Sequence, residues 1–113
     1  MKSPKRILAL AALSAACAVS LQAQADDCRL PPAPSKIPDG STATQQEMIT
    51  AMETIRQYNS DVQTYLKCLD FEVRQNQLGA DDQMSLHNAA VEQLTRIADE
   101  FNAQVKTFKS KHG

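Results

Sequence analysis

The sequence predicts an all-α chain: an antiparallel two-helix hairpin preceded by an extended, proline-rich arm that a disulfide ties to the first helix. Three observations carry this expectation. Four prolines fall within Arg29–Gly40. Two long segments follow, each with apolar residues returning at alternating steps of three and four, and a short turn separates them. Two cysteines, Cys28 and Cys68, lie 40 positions apart, outside the N-terminal twenty-five residues.

Those first residues read as a secretory signal peptide, 1–25. Lys2, Lys5 and Arg6 open it, an uncharged apolar run extends from Ile7 to Leu21, and Ala23-Gln24-Ala25 supplies the small residues a signal peptidase reads. The run is short and rich in Ala and Ser, unlike a membrane span of about 20 strongly apolar residues. Cys17 follows Leu13-Ser14-Ala15-Ala16, a loose likeness to a lipoprotein cleavage site, but the Leu stands one position too far away. Export to the periplasm is the expected destination.

The remainder, 26–113, suits one small domain. Without the three basic residues of the signal it holds nine Lys and Arg against thirteen Asp and Glu. A mildly acidic chain is a poor fit to nucleic acid, which selects a basic face, and to anionic membrane surfaces. In an oxidising compartment an even pair of cysteines forms a disulfide. A 40-residue loop so closed is stabilised by about 4 kcal/mol in the chain-entropy model. The same arithmetic allows a disulfide-linked dimer.

The arm and helix cap occupy 26–44. Proline lacks an amide donor and fixes φ, so Arg29–Gly40 is extended chain, closed by an Asp39-Gly40 turn. Thr44 with Glu47 three residues later makes a capping box. From there a first helix is expected over about 45–78, with a seam of Met48, Met52, Ile55, Asn59, Val62, Leu66, Leu69 and Val73. Gly79 is placed to end it in the left-handed conformation, and Asp81 or Asp82 to cap the second helix. That helix, about 82–110, carries Met84, His87, Val91, Leu94, Ala98, Phe101, Val105 and Phe108 on its seam. The two make up the hairpin of 45–113.

Lengths agree with a disulfide between arm and helix. Twelve extended residues reach about 37 Å, and helix from Gln45 to Cys68 covers about 35 Å. An arm running back along the first helix therefore delivers Cys28 to Cys68 and lays Leu30, Pro31, Pro34 and Ile37 over the seam.

The Pro-rich stretch with Ile37-Pro38-Asp39-Gly40, Ala43-Thr44 with Glu47-Met48, Tyr65-Leu66-x-Cys68-Leu69 and Phe101-Asn102 together resemble a group of small uncharacterised exported helical proteins of proteobacteria. The resemblance spans most of 26–113. It implies a helical fold and an exported location, and brings no activity with it.

Candidate chemistry is sparse. His87 with Asp81 and Asp82 is short of the three or four convergent donors that hold a metal, and the aspartates serve as helix-start residues. Met48, Met52, Met84 and His112 have copper-compatible donors, but the hairpin spreads them to opposite ends, where methionine acts as core filler. No cofactor is expected. Carboxylates are scattered along helix faces, no Ser or Cys is paired with a His, and no glycine-rich phosphate loop occurs, so an enzyme is not expected. Asn59, polar in an apolar seam, would set register, meet Asn102 within the hairpin, or face solvent. Tyr58, Tyr65, Phe71 and Ile97 widen the apolar stripe beside it. With Asn59 they form the expected interface for a protein partner or a second copy of the chain in a four-helix bundle. The alternatives are a chaperone-like binder of unfolded chains and a carrier of metal or small ligand. Against the first, no Leu-Thr-x-x-Gln repeat of known helical periplasmic chaperones occurs: Leu94-Thr95 is followed by Arg96-Ile97-Ala98.

Overall fold

The computed structural model describes residues 28–113; the signal-peptide reading of 1–25, with Cys17, lies outside the described residues. Two helices follow the arm, α1 (Gln45–Arg74) and α2 (Ala80–His112), with no strand among the described residues. At ~1.5 Å per residue they run about 45 and 50 Å.

The start of α1 is the predicted capping box. Thr44 Oγ1 accepts the Glu47 amide at 3.1 Å, and Glu47 Oε2 accepts the Thr44 amide at 2.7 Å. Two of the amides that a helix start leaves without partners are thereby satisfied. Its end differs from expectation. Asn76, at φ 55°, takes the left-handed position in place of Gly79. The Gln77 amide reaches the Glu72 carbonyl at 2.8 Å and the Asn76 amide reaches Val73 at 3.1 Å, the pair of bonds of a Schellman motif. Asparagine tolerates this conformation, so the helix stops four residues before the expected Leu78. Gly79 is instead the N-cap of α2 in extended conformation, φ −71°, with no side chain to bond the helix start. Asp81 and Asp82 fall inside the first turn of α2, where their charge complements the helix dipole. Near the turn, Gln83 Nε2 donates to Asp70 Oδ1 across the hairpin at 2.8 Å.

The predicted arm is present and tethered. Cys28 and Cys68 form a disulfide within the chain, Cα to Cα 5.6 Å, joining the arm to α1. Asp39 organises the return. Its carbonyl accepts the Thr42 and Ala43 amides, and its Oδ1 accepts the Ser41 amide and hydroxyl. These two Ser41 bonds hold the Asp39 carboxyl below the usual aspartate range. Gly40 lies directly on α2, its amide donating to Gln104 Oε1 at 2.8 Å. The arm thus starts against α1 at Cys68 and reaches α2 at Gln104 before turning into α1.

This path shifts the buried seam. Val62 and Leu69 are central as predicted, but alternate positions slip by one residue. Tyr58, Tyr65 and Glu72 are buried where Asn59, Leu66 and Val73 were expected, and Ala90 and Ile97 where Val91 and Ala98 were. The physical reason is the arm. A bare hairpin buries a stripe centred on the line between its helices; an arm filling one groove draws the stripe toward that groove. Cys28, Ala33 and Ile37 of the arm pack on the cluster of Tyr58, Val62, Tyr65, Leu69, Ala90 and Ile97. Leu30, expected to cover the seam, is exposed.

Candidate functional site

A two-helix hairpin has two long grooves, one on each side of the helix–helix contact, and here they differ. The first is occupied by the arm. Its walls are Tyr58 and Tyr65 on α1 and Ala90 and Ile97 on α2, all buried. Tyrosines suit this place because a ring fills a wide gap between three chain segments while its hydroxyl can reach the edge. The Tyr58 hydroxyl fails to reach: it is buried with no hydrogen-bond partner. Burial raises the Tyr58 pKa, an effect partly offset by Arg96. Burial raises that of Tyr65 too, and the nearby Glu72 adds to it.

Where the arm crosses to α2 it leaves a cleft of about 650 Å³ against the first turns of α1. Pro34, Ile37, Ala43, Ala51 and Ile55 give it an apolar lining, with hydroxyls from Thr42, Thr50 and Thr54. At the other end of the arm the disulfide borders a shallower depression with Arg29, Pro31, Asp61 and Thr64.

The second groove has no arm. Slippage of the seam leaves its walls partly in solvent: Met84 is 60% and Val91 38% exposed. Met52, Leu66, Val73, Ala98 and Val105 are half-buried along the same side, and Asn59 sits among them, exposed. Spacing of seven between Asn59, Leu66 and Val73, and between Met84, Val91, Ala98 and Val105, puts each set on one helix face.

The residues expected at an interface are therefore divided. Tyr58 (3% exposed), Tyr65 and Ile97 are consumed by the chain's own core. Asn59 is on the second groove. Phe71 is half exposed on the far side of α1 from the seam, away from both. Asn59 and Asn102 are both exposed. His112 stacks on Phe108 with ring centroids 4.1 Å apart, and its Nδ1 lies 2.9 Å from the Phe108 carbonyl oxygen. Met48 is buried while Met84 is exposed at the opposite end.

Glu72, expected with the other scattered carboxylates on a solvated helix face, departs from that expectation. It is buried, and its Oε1 has no hydrogen-bond partner. Among the described residues, Cys28, Cys68 and Glu72 form the cluster whose sulfur and oxygen atoms all lie within 4.8 Å of one another. The signal was available, since Cys68 and Glu72 are four apart and share a helix face.

These features define the chain as a helical hairpin with one groove filled by its own disulfide-tethered arm. Comparison with protein-family models, curated proteins and solved structures finds no match. No helix of the described residues is long and apolar enough to cross a membrane.

Proposed function

We propose that the chain is a non-catalytic, exported helical protein that acts in the periplasm through protein–protein contacts, self-association among them. The N-terminal pattern of 1–25 and the disulfide support the compartment. The second groove carries the contact reading. Two helices and an arm give a thin core, marginal for a domain of this size. A contiguous strip from Met52 to Val73 and from Met84 to Val105 is left partly exposed, and a second hairpin laid along it completes a four-helix bundle. Asn59, polar within that strip, fixes the register of such a pairing.

Native and non-reducing denaturing mass spectrometry of the processed chain tests this. The expected result is a non-covalent dimer that dissociates on denaturation into oxidised monomers. Met84→Lys with Val91→Glu, both at exposed positions, is expected to give monomer at unchanged helicity. A wild-type monomer at high concentration would sink the self-association reading.

A second reading, a holder of unfolded chains, is favoured by the apolar cleft between arm and α1 and by exposed Met84, since methionine suits promiscuous apolar contacts. Suppression of a client's aggregation at near-stoichiometric ratio distinguishes it.

A further inference from the structure

The disulfide corner holds chemistry that a contact function does not use. Glu72 is 8% exposed, and its Oε1 is fully enclosed without a hydrogen-bond partner. A buried polar atom without a partner is destabilising. The pair of sulfurs lies beside the same carboxyl group: one Glu72 carboxylate oxygen and the two sulfurs all fall within 4.8 Å of one another. While the sulfurs are bonded to each other they offer Glu72 neither a proton nor a shared ligand.

Opening the bond changes this. A dithiol reductant delivers two electrons and two protons to Cys28–Cys68 and itself becomes a disulfide, leaving two thiols beside the carboxyl group. Cα atoms 5.6 Å apart suit two cysteines sharing one cation, whose sulfurs separate to about 3.8 Å at tetrahedral Zn–S distances. Thiolates select soft or borderline cations such as Zn²⁺ over Mg²⁺ or Ca²⁺. We propose that the reduced chain binds a thiophilic divalent cation of the Zn²⁺ class through Cys28 Sγ, Cys68 Sγ and a Glu72 carboxylate oxygen. Both thiol protons are released to solvent on binding. The two cysteines also border the depression lined by Arg29, Pro31, Asp61 and Thr64. A coordinate link then replaces the covalent one, and the arm stays on α1 in either redox state. This site is independent of the contact reading and stands or falls without it.

The test is cobalt titration of the processed chain, reduced with a phosphine and kept under anaerobic conditions. Expected is a one-to-one thiolate-to-cobalt charge-transfer band with visible four-coordinate transitions, bleached by Zn²⁺ and absent from the oxidised chain. Glu72→Gln is expected to weaken binding more than about tenfold, with Glu72→Asp intermediate. Asp70→Asn, exposed on the same helix, should bind as wild type. Circular dichroism of each oxidised variant checks that it folds. Absence of the charge-transfer band in the reduced wild type overturns the proposal, as does a Glu72→Gln affinity equal to wild type.

Discussion

Replacing Gly40 by alanine tests how firmly the arm is seated on α2. A methyl group built on Gly40 overlaps the Gln104 carbonyl oxygen and lies 2.9 Å from the Phe108 nitrogen and 3.0 Å from the Gln104 carbonyl carbon. All three are backbone atoms of a helix, which cannot swing aside as the tip of a side chain can. The arm has to lift, breaking the bond from the Gly40 amide to Gln104. One lost bond costs about 1 kcal/mol, and overpacking of a close contact about 1–3 kcal/mol. Together these come to about 2–4 kcal/mol; even at about 2 kcal/mol the melting temperature falls by roughly 8–16 °C, since each kcal/mol moves a domain of this size by about 4–8 °C. Thermal melts followed by circular dichroism at 222 nm measure it, with Gln104→Ala as the companion that loses only the bond. A Gly40→Ala melt within about 2 °C of wild type would refute the placement of the arm against α2.

Gly79 provides the contrast: its φ of −71° suits any residue and an added Cβ meets only Asp82 Oδ2 at 3.7 Å. Gly79→Ser, which supplies the missing cap and stiffens the unfolded chain, is expected to raise stability by about 0.5–1 kcal/mol in urea unfolding. Thr44→Ala removes the hydroxyl half of the capping box and should lower stability by about 1 kcal/mol in the same assay. Tyr58 and Tyr65 have folded pKa values raised above the ordinary tyrosine value, so the unfolded chain releases these protons first. Their contribution is complete below about pH 10 and is lost as pH rises through the folded values, so unfolding midpoints should drop on that alkaline limb. Tyr58→Phe, which deletes a buried hydroxyl without a partner, should be neutral or stabilising by about 1 kcal/mol and should shrink the alkaline loss. An alkaline limb identical to wild type would count against Tyr58 as one of its sources.

Much of the architecture was legible because it is written in short-range chemistry. Thr44 and Glu47 announce the start of α1, the prolines announce the arm, and chain lengths bring Cys28 to Cys68. The expected seam lies one residue off at alternate positions because steps of three and four fit two adjacent stripes, one through Asn59, Leu66 and Val73 and one through Tyr58, Tyr65 and Glu72. Tyr58, Tyr65, Glu72 and Gln104 line the side that the arm covers. That preference is set by a third segment, and no count within either helix contains it. The end of α1 was misplaced for a related reason: Asn76 and Gly79 both suit a left-handed cap, and only the Schellman bonds to Glu72 and Val73 decide between them. The same arm explains why Tyr58, Tyr65 and Ile97 looked like surplus apolar surface when they are core.

The route of the arm also fixes an order of events in time. Gln83 and Asp70 meet across a separation of 13 residues, Cys28 and Cys68 across 40, and Gly40 and Gln104 across 64. Closing short loops is fast and closing long ones is slower, so the turn end of the hairpin zips first and the arm docks after it. Synthesis runs the opposite way, since the arm leaves the ribosome before either wall of its groove exists. Of the described residues the arm emerges first, and Cys28 remains an unpaired thiol until Cys68 follows it. Cys68 also emerges before α2 (Ala80–His112), so the covalent bond closes on arm and α1 alone and leaves the second wall of the groove to be added afterwards.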